Sequence, residues 1–413
     1  MTAALPPHWP SQTPSSQALS SRTISSRTIV QIASNLDSWG GLEIHLLHLA
    51  CQLRERGHRV IVAGRPGRFV LSRAQALGLE TFEATVRRQT DWTDFKRYRE
   101  FFRRENVDII HAHTQDDALV PAAAARLAGV PASFLTWHLP FPFHKRARGR
   151  LMLALLHRRL IAISGSVAEM HLRNGVDPKK LEVIHHGTDI EAFCRLTTDP
   201  SSVRASLGIA PGELAVGIVG RVASEKGHRN LMEALQLLAE RDIRLCAVVA
   251  GDGPHLAALR QEAADREKRD GETRGGAKSR VVFTGFREDI NNVIAALDIV
   301  AVPSLWPEPC SAVIQQGMAL GKPVVGTRTG GTPEMIADGE TGLLVPVGDS
   351  AALAAALGCL AEPALRRQMG EAGRRRVEAH FTLHAMTDKI EALYQREYEN
   401  ACGRATLRRA PAS

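Results

Sequence analysis

The chain has 413 residues, 44% of them apolar, 23% charged and 5% aromatic, with a formal net charge of +8; that length predicts two domains, and the apolar share is ordinary for a globular protein with two cores. Its six cysteines are scattered, none two residues from another, which excludes a disulfide scaffold and a paired-cysteine metal or redox motif and points to a reducing compartment. The positive balance suits polyanionic partners such as nucleotide phosphates or anionic headgroups, whereas the low aromatic content and the lack of a recognition module argue against nucleic acid.

Residues 1–27 are rich in Ser, Thr and Pro, with no acidic residue before Asp37, and predict a disordered tail rather than a signal or transit peptide. No run of 18 apolar residues occurs, so no transmembrane helix is expected. Strands are predicted at 28–34, 58–64, 107–113, 131–138, 160–164 and 181–187. These runs are apolar throughout rather than alternating, as in strands covered on both faces. Leu42, Leu46, Leu49 and Leu53 recur at helical spacing before Gly57, and an Ala- and Leu-rich stretch at 117–128 closes at Gly129. Segment 143–159 mixes basic residues with Leu151, Met152 and Leu155. It reads either as a core-facing helix with solvated arginines or as a peripheral contact with an anionic membrane that admits a lipid-linked acceptor.

A polar stretch with Pro200 and Pro211 places the hinge at 195–212. The rhythm then restarts with strands at 214–222, 244–251, 280–285, 298–304, 322–327 and 342–347. Helices are predicted at 227–240, 254–268, 311–319 and 350–361, and the charged, Gly-rich insert 265–280 reads as an exposed loop. The alternation predicts an α/β fold of two doubly wound domains, 28–200 and 201–383, a helix at 384–400 packing back towards the first domain, and a tail at 401–413. Ligands of such folds sit beyond the carboxyl ends of the strands, so the informative motifs are those that follow strands.

Four motifs do. SWGGLE (38–43) follows the first strand and opens a helix; its glycines permit close backbone approach, although Gly-Gly before a helix is often only a turn. GRVASEKG (220–227) offers the Arg221 guanidinium and the Lys226 ammonium before a helix, a set suited to a diphosphate unless both are solvated surface cations. AGDGPHL (250–256) is a further glycine turn from strand to helix. The long stretch 303–334 carries Glu308, a helix start at 309–312 and TGGTPE at 329–334. A carboxylate there can bind sugar hydroxyls beside amides that hold phosphate oxygens, or it can simply be a carboxylate at a helix start. Gln316, eight residues on, would lie about two helical turns along, near the same face. Among 16 histidines, His111 and His113 alternate along a strand end and His138 follows another strand, whereas His45 and His48 fall within a helix and carry no assigned role.

In order, GGLE, IIHAH, TWH, VIHHGTDIEAF, GRVASEKG, GDGP, the Glu308 region and GGTPE resemble the family-4 glycosyltransferases, retaining enzymes of the GT-B fold in which two Rossmann-like domains face each other across a cleft. The resemblance runs from about residue 28 to 400. It implies that Gly40 and Gly41 lie close to the donor diphosphate, that His138 is the histidine near the transferred sugar, and that Arg221 and Lys226 clamp the phosphates. It further implies that Glu308 binds sugar hydroxyls beside the amides of Cys310, Ser311 and Ala312, that the Gly253 turn and Gln316 border the donor, and that Gly285 and Arg287 border the base. His113 becomes a candidate for touching the acceptor. Three positions depart from the family pattern: Gln316 replaces the second acid of Glu-x7-Glu, Ser311 replaces a glycine, and His186-Gly187 replaces Asn-Gly. A glutamine keeps one carbonyl acceptor but loses the charge, which weakens its bonds to ribose hydroxyls.

The activity so implied is transfer of a sugar from a nucleotide-sugar donor to a glycan or lipid-linked acceptor. Its expected setting is cell-envelope polysaccharide or lipopolysaccharide synthesis, in the cytoplasm or peripherally on the inner face of the membrane. Retention is drawn as same-face attack through an oxocarbenium-like state, which requires no protein nucleophile. No Asp-x-Asp motif is present, so no essential metal and no cofactor are expected. The competing readings are a nucleotide-sugar epimerase, which needs no acceptor, and a catalytically decayed nucleotide-sugar-binding protein, favoured only by Gln316. A phosphorylase of this architecture would need a pyridoxal lysine and a much longer chain.

Overall fold

Each apolar run predicted as a strand forms one in the computed structural model, which describes residues 25–34, 40–84, 92–140, 147–272 and 280–409. The predicted tail lies outside these residues up to position 24. The strands are β1 (Thr28–Ile32), β2 (Arg59–Gly64), β3 (Glu80–Glu83), β4 (Ile109–Ala112), β5 (Ala132–Trp137), β6 (Arg159–Ala162) and β7 (Leu181–Val183) in the first half. The second half contributes β8 (Leu214–Val219), β9 (Leu245–Ala250), β10 (Arg280–Gly285), β11 (Ile299–Val302), β12 (Val324–Thr327) and β13 (Gly342–Val345). Only β3 was not legible: ETFE is a half-buried edge strand without an apolar run.

The chain divides into two compact units. Among the described residues, the first takes those up to Gly187 together with those from Leu383; the second is Thr188–Thr382. The chain therefore passes between units at 187/188 and 382/383, not within 195–212. The polar stretch expected to be a hinge instead carries helix Pro200–Ser206 of the second unit and is pinned by Asn292, whose Oδ1 accepts from the Thr197 amide at 3.1 Å.

In the first unit the parallel sheet has the order β3-β2-β1-β4-β5-β6-β7, with Ile29 paired to both Val60 and Ile109. In the second the order is β10-β9-β8-β11-β12-β13. Both reverse direction beside their first strand, so each unit has a switch point at the carboxyl ends of its central strands. Apolar residues fill both faces of the second sheet: Val216, Leu235 and Leu357 on one, Val248, Ile314 and Met318 on the other. In the first unit the helix Phe95–Arg104 turns Tyr98, Phe101 and Phe102 inward onto Val30, Ile61 and Ile110.

Helix Leu383–Arg409 runs well beyond the predicted 384–400, so much of the expected tail at 401–413 is helical. It belongs to the first unit through buried Met386, Ile390, Leu393 and Tyr394. Glu391 fixes it by accepting from Arg56 at 2.7 Å and meeting His58 at 2.8 Å. Burial alone would raise the Glu391 pKa, but the His58 and Arg56 bonds outweigh it and hold the carboxyl below its ordinary range. The predicted loop at 265–280 is likewise partly helical, because helix Leu256–Glu272 continues into it; 273–279 fall outside the described residues. Helix Ala147–Leu156 buries Leu153 and exposes Leu151 (58%) and Leu155 (52%), with Met152 also exposed, so of the two readings of this segment the core-facing one does not hold for these three residues. Residues 143–146 of that segment are outside the described set.

Candidate active site

In the second unit four strand ends meet. After β8 the chain passes Gly220 and Arg221 to Lys226 and Gly227, which starts helix His228–Ala239. After β9 comes Gly253, at φ +159°, where an added Cβ would stand 2.4 Å from the Val222 carbonyl oxygen; only glycine lets these two loops touch. After β11 comes Glu308, and after β12 Gly330, whose φ is +58° and whose missing Cβ would lie 2.3 Å from the Glu308 carbonyl oxygen and 2.6 Å from its nitrogen. The same Glu308 carbonyl accepts from the Gly331 amide at 2.7 Å. TGGTPE thus grips the backbone of Glu308 from behind.

That grip aims the carboxylate. Glu308 Oε1 receives the Lys226 ammonium at 2.5 Å and the Ser304 hydroxyl at 2.7 Å, and the Ser304 carbonyl in turn receives the Thr327 hydroxyl at 2.7 Å. Lys226 and Glu308, 82 residues apart, are brought together as a half-buried pair. Arg221 is not part of it: its side chain is 65% exposed and pairs with Glu225 at 2.5 Å. Gly285 ends β10 and accepts from the Gly251 amide at 2.9 Å, which puts the loops after β10 and β9 side by side; Arg287 pairs with Asp289 at 2.7 Å.

Ser311 precedes helix Ala312–Ala319 without capping it by its side chain, and Ala312 is exposed at the first helical position. The Cys310 thiol lies 3.6 Å from Gln315 Nε2. Glu308 sits four residues before this helix, so Gln316 is only in its second turn, not two turns along from Glu308; its side chain is half-buried.

The first unit contributes a histidine cluster. Gly40 precedes helix Gly41–Glu55 in extended conformation (φ −152°), and a Cβ on Gly41 would meet none of the described residues within 4 Å. Glu43 is buried in the first turn and burial raises its pKa. His111 lies on β4, His113 just after it, His138 after β5 and His186 after β7, all strand-end positions. Their bonds fix the ring protons. The Gln31 carbonyl oxygen, 2.7 Å from His113 Nε2, can only accept, so His113 carries its proton on Nε2 and its Nδ1 accepts from His138 Nε2–H at 3.3 Å. His138 Nδ1 is therefore a lone pair, turned to His186 Nε2 at 3.0 Å. From the same Gln31, Nε2 donates to the Tyr394 hydroxyl at 3.2 Å, that hydroxyl to His111 Nδ1 at 2.5 Å, and His111 Nε2–H to Thr136 at 2.7 Å.

Burial pushes the pKa of His45, His111, His113 and His138 well below the ordinary histidine value, and neighbouring imidazoles add to it; His186 is brought down to about 4. All are neutral near pH 7, as the bonding chain requires. His113 has both ring nitrogens engaged, so it holds His138 in place rather than offering a nitrogen of its own. Sequence reasoning left out His45, Gln31 and Tyr394 and met His186 only as a departure. The rule that strand ends carry ligands would have found His186; His45 and Tyr394 sit inside helices and gave no such signal.

The family model described as Glycosyltransferase Family 4 matches residues 39–192, and that described as Glycosyl transferases group 1 matches 213–362. The chain belongs to the family-4, group-1 glycosyltransferases. This glycosyltransferase is 27% identical over 303 residues to the Escherichia coli UDP-Gal:α-D-GlcNAc-diphosphoundecaprenol α-1,3-galactosyltransferase, covering 71% of this chain and 76% of that one. It is 25% identical over 391 residues to the Bacillus anthracis N-acetyl-α-D-glucosaminyl L-malate synthase, covering 86% and 94%. Among solved structures, HepE of Anabaena in complex with UDP superposes with a TM-score of 0.76 at 23% identity, over 90% of this chain and 100% of that one, which shows the GT-B fold.

Proposed function

We propose that this glycosyltransferase works with retention, moving a sugar from a nucleotide-sugar donor to a glycan or lipid-linked acceptor in envelope polysaccharide or lipopolysaccharide synthesis. The observation that carries the reading is the Lys226–Glu308 pair, held beside the glycine turns at the strand ends of the second unit. Lys226 neutralises the diphosphate as the C1–O bond breaks, and Glu308 holds hydroxyls of the sugar. Amides at the start of helix Ala312–Ala319 add donors to phosphate oxygens, and Gln316 accepts from the ribose. Gly40 and Gly41 leave room for the diphosphate, and Gly285 and Arg287 border the base. Arg221 would leave Glu225 for the phosphates when donor binds.

The acceptor oxygen bonds to C1 on the face the diphosphate leaves, and the acceptor proton passes to the departing phosphate oxygen. His138 is the histidine beside the transferred sugar. No nucleophilic side chain and no metal enter these steps. The UDP-Gal of the E. coli relative and the UDP bound to HepE support a sugar nucleotide as donor, and the E. coli relative supports a lipid-linked acceptor. Exposed Leu151, Met152 and Leu155 favour peripheral binding to an anionic membrane on its cytoplasmic face.

Thermal-shift screening against UDP, GDP, ADP and their sugar conjugates should show stabilisation by one nucleotide series. With the donor so found and cell extract as acceptor, Lys226→Ala should lower turnover on the order of 10²-fold, and EDTA should leave it intact. Full activity in both Lys226→Ala and Glu308→Ala would refute the reading, and conversion of donor without acceptor would make the protein an epimerase. In flotation with anionic liposomes at low salt, wild type should float and Leu151→Glu/Leu155→Glu should not; no flotation of wild type ends the membrane proposal.

A further inference from the structure

We propose that His45, His138 and His186 form a binding site for a divalent transition-metal ion of the zinc, cobalt or copper type. Three imidazoles from three separate chain segments converge here, and one ligating nitrogen from each lies within 4.8 Å of the others. His45 stacks on His186 with ring centroids 4.3 Å apart and meets His138 edge-on at 4.9 Å.

Two observations separate this cluster from a set of core histidines satisfied by one another. The first is His45 itself. It is only 6% exposed, yet neither of its ring nitrogens has a hydrogen-bond partner among the described residues. Every other imidazole of the network described above makes at least one such bond. A buried polar group left unpaired is costly, and a bound ion relieves that cost.

The second is the set of partners behind His138. A metal-ligating histidine ordinarily donates its far N–H to an outer acceptor, which fixes tautomer and ring orientation. His138 does so through Nε2–H to His113 Nδ1, and His113 does so in turn to the Gln31 carbonyl oxygen. The nitrogen left with a free pair, His138 Nδ1, is the one that faces His186. The rings are also neutral, the form a metal requires.

The spacing fits. Four-coordinate zinc with bonds of about 2.0–2.1 Å keeps its ligating nitrogens roughly 3.3 Å apart. His138 Nδ1 and His186 Nε2 already stand 3.0 Å apart. The ion takes the place of the proton these two share, and the His45 ring moves in on the order of an ångström to complete the three. Three neutral imidazoles select zinc, copper, cobalt or nickel over magnesium or calcium, which take oxygen ligands. The fourth position is left for water or an anion.

The site does not depend on the transfer reaction. If His138 also serves the transferred sugar as proposed above, the ion competes with catalysis, and zinc inhibits an enzyme that needs no metal.

The test uses the full chain, freed of metal with chelator and titrated with Co²⁺ alone. One equivalent should give the visible d–d bands of cobalt bound to nitrogen ligands in low coordination number, and one equivalent of Zn²⁺ should remove them. His45→Ala and His186→Asn should each weaken Co²⁺ binding at least ten-fold. Gln31→Leu, which removes only the outermost acceptor, should weaken it about ten-fold. Circular dichroism of each variant shows whether it is folded, and Zn²⁺ should raise the melting temperature of wild type but not of His186→Asn. Absence of cobalt bands in wild type overturns the proposal. So does equal affinity in the folded His45→Ala and His186→Asn variants, which would put the metal on other histidines. Zinc inhibition of turnover is read separately, so loss of that effect alone bears on the role of His138 and not on the site.

Discussion

Single residues decide how the candidate site of the second unit is formed. Glu308 is aimed by backbone contacts from Gly330 and Gly331, not by its neighbours in sequence. Gly330→Ala would impose a side chain at φ +58° and drive a methyl group into the Glu308 backbone. The expected result is a fall in kcat/KM of at least about ten-fold with a stability loss of roughly 1–3 kcal/mol. Gly339→Ala is the control: its φ is +79°, but a Cβ there meets nothing within 4 Å. It should lose on the order of 1 kcal/mol and keep activity. Equal activity in the two variants would show that the Gly330 contact does not position Glu308. Lys226 and Glu308 were legible in the sequence because each follows a strand. The Arg221–Glu225 pair is local, four residues apart, and nothing in the spacing alone separates it from a cation left free for phosphate.

Whole elements show where a sequence speaks clearly. Strands covered on both faces appear as continuous apolar runs, so twelve of the thirteen among the described residues were readable; β3 was not, since an edge strand needs no such run. The terminal helix was readable as a helix but not for what it touches. Its Tyr394 hydroxyl joins Gln31 to His111, contacts across 363 and 283 residues that no local pattern encodes. Tyr394→Phe keeps the ring and removes the hydroxyl, leaving a buried amide and a buried imidazole nitrogen unpaired. The variant should lose roughly 1–3 kcal/mol in urea unfolding. A midpoint unchanged from wild type would mean water replaces the hydroxyl at no cost.

At the scale of the molecule, buried neutral histidines make the first unit sensitive to acid. His157 accepts from the Ser133 hydroxyl through Nδ1 at 2.9 Å and donates from Nε2 to the Ala118 carbonyl at 2.7 Å, so both ring nitrogens are engaged in the neutral form. Burial, with a smaller push from Lys180, lowers its pKa to about 4. His171, stacked on Trp137 with centroids 3.4 Å apart, is lowered by burial to about 3. Each folded pKa is below the unfolded value, so the unfolded chain takes up protons first. The stability from these groups is complete above about pH 6.5 and is lost as pH falls towards 4 and then 3, at about 1.4 kcal/mol per pH unit for each. Melting temperatures of wild type and His157→Gln from pH 7 to pH 4 should therefore converge; parallel curves would contradict a neutral His157.

The order in which the chain is made adds a constraint. Residues Thr188–Thr382 are contiguous, so the second unit has all of its own material as soon as position 382 leaves the ribosome. The first unit has no such freedom. Its core lacks Ile390, Leu393 and Tyr394 until the helix beginning at Leu383 has been synthesised, some two hundred residues after its last strand. The earlier-made half must wait with apolar surface uncovered while the later-made half closes, the condition under which a nascent domain is prone to misassociate.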